Sequence, residues 1–125
     1  LKDVEHLYLL LICKNSALWS LRDLCEEHLP LLKRLDKAIK TCIHKEYPTI
    51  NINQVDVFFH YRPTFYRLHL HITKNKITCH PSRVHFLSNV IQNIEIKGDY
   101  YQTVALSCHI KETDALYPAL CEIRQ

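Results

Sequence analysis

With 125 residues, 47% of them hydrophobic and 23% charged, the chain has the size and balance of one globular domain with its own core. Its longest apolar run, Leu7 to Cys13, falls far short of the ~20 residues of a membrane-spanning helix and has no small-residue cleavage site of a signal peptide behind it. The net charge of +3 suits an anionic ligand without marking a nucleic-acid groove, and the single glycine, Gly98, excludes the glycine-rich phosphate loops of Walker and dinucleotide-binding motifs.

Any phosphate must therefore be held by side chains, and the nine histidines supply candidates. The chain opens at Leu1 and contains no methionine, so it is expected to be part of a longer protein whose upstream residues matter to function. Six cysteines, at positions 13, 25, 42, 79, 108 and 121, form no C-x-x-C pair. They are expected to be buried reduced thiols rather than a disulfide framework or a zinc site.

In chain order, Leu7 to Cys13 reads as a buried strand ended by Lys14-Asn15-Ser16. After the short connection Ser20 to Leu24, Glu26 to Lys45 reads as a helix. It has acids in its first turn, Pro30 early, and Leu32, Leu35, Ile39, Cys42 and Ile43 at helical spacing. Gln54 to Tyr61 alternates as a strand, with Val55, Val57, Phe59 and Tyr61 on one face and Asp56, Phe58 and His60 on the other. Arg62-Pro63-Thr64 reads as a tight connection. Tyr66 to Thr73 follows as a second strand, with Leu68, Leu70 and Ile72 opposed to Arg67, His69, His71 and Thr73. So short a link predicts antiparallel pairing of these two strands. Ser82 to Glu95 reads as a helix with Leu87, Val90, Ile91 and Ile94 as its stripe. Tyr101 to Cys108 reads as a further strand, and Thr113 as the cap of a last helix to about Arg124. This order predicts an α+β domain with an antiparallel sheet packed with helices.

The chemistry is concentrated between His60 and Ile72. Alternate strand residues share a face about 6.5–7 Å apart, which places Arg67, His69 and His71 in one row, with His60 on the neighbouring strand. A histidine side chain in water has a pKa of about 6.5 and so offers a neutral nitrogen near neutrality. It attacks phosphorus when its other nitrogen donates to a fixed acceptor, while cations and donors steady the phosphoryl oxygens. The opposing reading is a solvated strand face with no site. A metal reading of His69 and His71 lacks a carboxylate or third ligand nearby in sequence. Cys79, His80 and His85 read as loop and helix-start residues without special function, and His6, His28, His44 and His109 as surface or packing residues.

The stretch from His60 to Ile72 resembles the histidine-triad motif of the scavenger mRNA-decapping enzymes, which hydrolyse the residual 5′ cap after mRNA decay. Ser20-Leu21-Arg22-Asp23-Leu24 and Glu27-His28-Leu29-Pro30-Leu31-Leu32 are more diagnostic of this branch than the histidines. Leu7-Tyr8-Leu9, Val90 to Glu95 and Tyr100-Tyr101-Gln102 agree in order. The resemblance implies that residues 1–125 are the C-terminal histidine-triad (HIT-like) domain, with the family's N-terminal domain outside them. It implies hydrolysis of m7GpppN, or of short capped oligonucleotides, to m7GMP and a nucleoside diphosphate. His69 is then the nucleophile through a covalent intermediate, and His71 binds and polarises phosphate oxygens. His60, Thr64, Phe65 and Arg83 line the phosphate and nucleotide site. No metal or other cofactor is implied. A homodimer in the cytoplasm and nucleus is implied, with no membrane association.

Two departures stand out. Arg67 replaces the leading triad histidine, keeping positive charge but not the ability to shuttle a proton near neutrality; it is read as a further substrate-binding residue. The aromatic stack that reads a cationic methylated base belongs to the family's N-terminal part, so these 125 residues alone are expected to bind cap poorly. The rival functions are a general histidine-triad nucleotide hydrolase and, prompted by Arg67, a non-catalytic cap-binding module.

Overall fold

The structure, a computed structural model, describes residues 6–74 and 77–124. Short runs rich in aliphatic and aromatic residues form four strands: β1 (Tyr8–Ile12), β2 (Asp56–His60), β3 (His69–Thr73) and β4 (Val84–Phe86). They pair antiparallel in the order β1-β3-β2-β4. β3 therefore lies inside the sheet, and all five of its residues are buried. The pairing expected of β2 and β3 is present, with Asp56 opposite Thr73 and Phe58 opposite His71. Their link is longer than the tight turn expected: it takes residues 61–68, and β3 begins at His69 rather than Tyr66.

The first long helix, α1 (Leu29–Glu46), follows a one-turn 3-10 segment, Glu26–His28. Its entry explains the Glu-His-Leu-Pro pattern. The Cys25 amide donates to His28 Nδ1 at 3.0 Å, satisfying a donor that the helix start leaves over, and Pro30 sits in the first turn, where its missing N–H costs nothing. Leu32, Ile39 and Ile43 are buried; Leu35 is half-buried, and Cys42 turns outward. The second helix, α2 (Leu87–Ile96), buries Leu87, Val90 and Ile94. These residues join Phe59, Leu70 and Ile72 from the sheet in one core, each contributing about 1.5–3 kcal/mol by burial.

The second half of the chain departs from expectation in three places. Ser82 to Phe86 is not helical: Pro81–Arg83 makes a 3-10 turn and Val84–Phe86 forms β4 beside β2. Tyr101 to Cys108 is not a strand, because Tyr100–Thr103 forms a short helix, α3, which buries Tyr101, and none of the four described strands pairs with the residues after it. The last helix, α4 (Tyr117–Arg124), begins four residues after the expected cap Thr113. The thiols differ as well. All six cysteines are free, but only Cys13 is buried; Cys42 and Cys108 are exposed and Cys25, Cys79 and Cys121 intermediate.

The Ser-Leu-Arg-Asp-Leu segment is a brace. Asp23 Oδ2 accepts the Trp19 and Ser20 amides at 2.7 and 3.0 Å, while Ser20 Oγ accepts the Arg22 amide. Leu21 and Leu24 enter the core. Arg22 reaches across the molecule and donates to the Tyr101 and Val104 carbonyls at 3.0 and 2.6 Å. It thus fixes the path of the chain after α3, which forms one wall of the cleft described next.

Candidate active site

β3 carries the two histidines of the row on one face, opposite Leu70 and Ile72. On β1, Leu10 faces His71 and Ile12 faces His69. The row is not a solvated strand face: His69 and His71 are only 6% and 7% exposed. The Phe65 ring covers His69 in parallel, with centroids 4.1 Å apart, and Phe58 stacks on His71 at 5.3 Å. The His69 and His71 rings meet edge to face at 5.0 Å, and His60 of β2 lies 4.0 Å from His71. The three imidazoles therefore form one cluster.

The hydrogen bonds fix what each ring can do. His69 Nδ1 lies 2.7 Å from the Arg67 carbonyl oxygen. A carbonyl only accepts, so Nδ1 carries a proton, and in the neutral ring the lone pair is on Nε2. His71 Nδ1 is bonded to the Tyr8 hydroxyl, and its Nε2 is buried without a protein partner. His60 Nε2 contacts the Cys79 thiol at 3.3 Å. Burial chiefly, then the neighbouring His71 and Arg83, lowers the His60 pKa to about 4. Burial, then His69 and Arg83, lowers that of His71 to about 4 as well. Both rings are thus neutral at physiological pH. Burial, followed by the Cys79 thiol, raises the Tyr8 phenol, so Tyr8 keeps its proton near neutrality.

Arg67 departs from the expected row. It precedes β3, and its guanidinium donates to the Cys13 carbonyl at 3.3 Å. Arg83, in the turn before β4, donates to the Arg62 carbonyl at 2.9 Å. With Thr64, Arg83 lines an open cleft of about 830 Å³. The opposite wall of this cleft is the stretch from Cys108 to Asp114, tied across by an Arg62–Asp114 ion pair of 2.9 Å. Phe65, His69, His71 and His60 therefore form a chain of ring contacts in that order, Thr64 and Arg83 lie on the adjoining cleft, and the Arg67 side chain turns to the Cys13 carbonyl.

Several residues of the site went unrecognised in the sequence. Tyr8 is one; its signal was its place on a strand that pairs with the histidine strand. Cys79, His80 and His109, read as ordinary, line the cleft. No sequence signal marks them, because they come from separate loops. Among the described residues, the only group of three or more His, Cys, Asp or Glu side chains close enough to share an ion is Cys25, Glu27 and His28, at the entry to α1. The His28 Nδ1 there already accepts the Cys25 amide.

A four-stranded antiparallel sheet with alternate histidines on an interior strand defines a histidine-triad-like α+β domain. The family model described as "Scavenger mRNA decapping enzyme C-term binding" matches residues 1–85. The chain belongs to this scavenger mRNA-decapping family. An m7GpppX diphosphatase of Rattus norvegicus is 34% identical over 127 residues, covering 99% of this chain and 38% of the relative. The m7GpppX diphosphatase of Homo sapiens is 34% identical, covering 99% and 37%. That of Caenorhabditis elegans is 34% identical over 119 residues, covering 92% and 38%. The chain thus spans a little over a third of the length of the curated relatives it matches.

Proposed function

We propose that this domain carries the catalytic site of an m7GpppX diphosphatase, which hydrolyses the residual cap to m7GMP and a nucleoside diphosphate. The observation that carries the proposal is the His69 Nδ1 bond to the Arg67 carbonyl, which puts the lone pair of the neutral ring on Nε2. His69 Nε2 attacks the phosphorus attached to 7-methylguanosine. The P–O bond to the nucleoside diphosphate breaks, and that group departs with the electron pair as a stable anion. Water then attacks the phosphohistidine, the P–N bond breaks and m7GMP leaves. His71, with Tyr8 bonded to its Nδ1, presents an Nε2–H donor to the phosphoryl oxygens as charge develops on them. His60, Thr64, Phe65 and Arg83 bind phosphate and nucleotide. Arg67 contributes charge from outside the row.

The methylated base is read by residues outside these 125. The protein acts as a homodimer in the cytoplasm and nucleus. A second copy is supported by the exposed Leu10 and Ile12 on edge strand β1. Among the described residues no helix is long and apolar enough to cross a membrane.

The test is hydrolysis of m7GpppG by the protein at its natural length, without added metal, beside its His69→Asn variant. The expected outcome is m7GMP release that falls at least about 10³-fold in the variant. Cap-analogue binding without turnover by the unaltered protein would make it a cap binder. Equal rates on m7GpppG and GpppG would make it a general nucleotide hydrolase.

A further inference from the structure

Each imidazole of the cluster has one nitrogen tied to a protein partner. The Arg67 carbonyl ties His69 and the Tyr8 hydroxyl ties His71. The third ring, His60, has Cys79: its Nε2 lies 3.3 Å from the thiol sulfur. The fold places Cys79 there through a braced turn. β4 pairs with β2 so that Val84 lies opposite His60. The Tyr61 amide donates to the Arg83 carbonyl at 3.0 Å, and the Arg83 guanidinium donates back to the Arg62 carbonyl at 2.9 Å. The Pro81–Arg83 turn is thus fastened to the end of β2. Its capping residue, His80, accepts the Ser82 amide at 3.2 Å and stacks on His109 with ring centroids 4.1 Å apart. Cys79 is the residue just before this cap, so the same frame carries its thiol to the His60 ring.

The His60 ring is neutral at physiological pH, because burial first, then His71 and Arg83, oppose its charge. A neutral imidazole assists an anion only by donating an N–H, so the nitrogen that carries the proton decides whether His60 assists at all. Its Nδ1 bonds to no described group. The adjoining His71 ring, 4.0 Å away, has an Nε2 that is buried and unpartnered. Two touching imidazoles therefore each keep one nitrogen without a protein partner. A thiol donates or accepts, weakly in both cases. With the proton on Nε2, the sulfur would be a poor acceptor and the Nδ1 lone pair would repel an anion. With the proton on Nδ1, the thiol has an acceptor and the anion has a donor. We propose that Cys79 is a positioning residue: its S–H donates to His60 Nε2, holds the ring proton on Nδ1, and makes His60 a neutral phosphate donor beside His71. The phosphate role rests on the cap-hydrolase reading; the tautomer does not.

The experiment uses the protein at its natural length with three variants: Cys79→Ala, Cys79→Val, which fills the space without a donor, and Cys79→Ser, which keeps one. Nitrogen NMR on histidine-labelled protein, with His60 assigned by its absence from His60→Asn, reads the tautomer without any ligand. His60 should show a bare Nε2 and a protonated Nδ1 in the unaltered protein and in Cys79→Ser, and a mixture of tautomers in the other two. In parallel, kcat/KM for m7GpppG and the affinity for inorganic pyrophosphate should each fall about 10-fold in Cys79→Ala and Cys79→Val, and stay within about threefold in Cys79→Ser, whose hydroxyl also donates. A proton on His60 Nε2 in the unaltered protein would overturn the proposal, even if no variant folds. So would a Cys79→Ser loss equal to that of Cys79→Ala, no loss in Cys79→Ala, or full retention in Cys79→Val, which would reduce Cys79 to packing. A protein that hydrolyses no cap refutes the hydrolase, and the tautomer with the pyrophosphate affinities then decides the role of Cys79. A protein that hydrolyses cap with the proton on His60 Nε2 keeps the hydrolase and loses the positioning thiol.

Discussion

The backbone of Arg67, not its side chain, holds His69. Because the carbonyl sets the tautomer, the side chain at position 67 is free to change without disturbing the attacking nitrogen, which explains how an arginine is tolerated at the head of the row. Arg67→Ala is accordingly expected to lower kcat for m7GpppG by less than about 10-fold, a modest electrostatic loss, with the His69 tautomer unchanged in the nitrogen NMR spectrum. Tyr8 is the contrasting case. Its phenol is bonded to His71 Nδ1, so Tyr8→Phe leaves the ring proton of His71 without a fixed position. That variant should lose on the order of 10- to 100-fold in kcat with little change in KM, as for other groups that orient a catalytic imidazole. A loss confined to KM would instead make Tyr8 an ordinary binding contact.

At the scale of elements, one residue ties the two halves of the domain. Arg22 donates to the Tyr101 and Val104 carbonyls and lies over the Tyr61 ring at 5.1 Å. It joins the segment before α1, the link out of β2 and the chain after α3. Hydrogen bonds from a charged donor contribute about 1.5–3 kcal/mol each. Arg22→Ala should therefore destabilise the domain by about 2 kcal/mol or more in urea unfolding, with hydrogen exchange accelerating first in residues 104–114. Unchanged exchange there would show that the Arg62–Asp114 pair holds that wall without help. Interior packing of α1 is a second such element. Leu32 is fully buried, so Leu32→Ala should cost about 2–5 kcal/mol, read as a fall in the urea midpoint.

For the molecule as a whole, the imidazole cluster links stability to pH. His60 and His71 titrate near 4 in the folded state and near 6.5 when unfolded. Between these values the unfolded chain binds more protons than the folded one, so stability rises with pH through this window and is level above it. Lowering the pH from 7 to 4.5 should drop Tm by about 5 °C or more, and His71→Asn should flatten that slope.

The same molecule shows what the sequence could and could not reveal. α1, α2, the β2–β3 pairing and the placing of His60, His69 and His71 together were legible, because each follows from a period of 3.6 or 2 enforced by burial. Residues 104–107 show the limit. Val104 and Leu106 are half-buried while Ala105 and Ser107 are exposed, an alternation indistinguishable from a strand's. Alternation records which side faces the core, however, and not whether another strand is there to accept its hydrogen bonds. Val84 to Phe86 takes that place on the edge of β2 instead. The cleft was illegible for a different reason. Its residues come from three separated loops, and tertiary ties such as the Arg62–Asp114 pair and the His80–His109 stack bring them face to face.

Cys79 sits at the seam between cleft and row, its sulfur against a neutral imidazole. To a chemist this is an anchor point. A mild electrophile such as a chloroacetamide, carried on a diphosphate mimic, would be delivered to this sulfur and to the exposed Cys108 on the same cleft, whereas Cys13 is shut in the core and Cys42 faces outward on a helix remote in sequence. The mass gained by the peptides that carry Cys79 and Cys108 would then report site occupancy directly in a crude extract, with no need to purify the protein or follow its turnover.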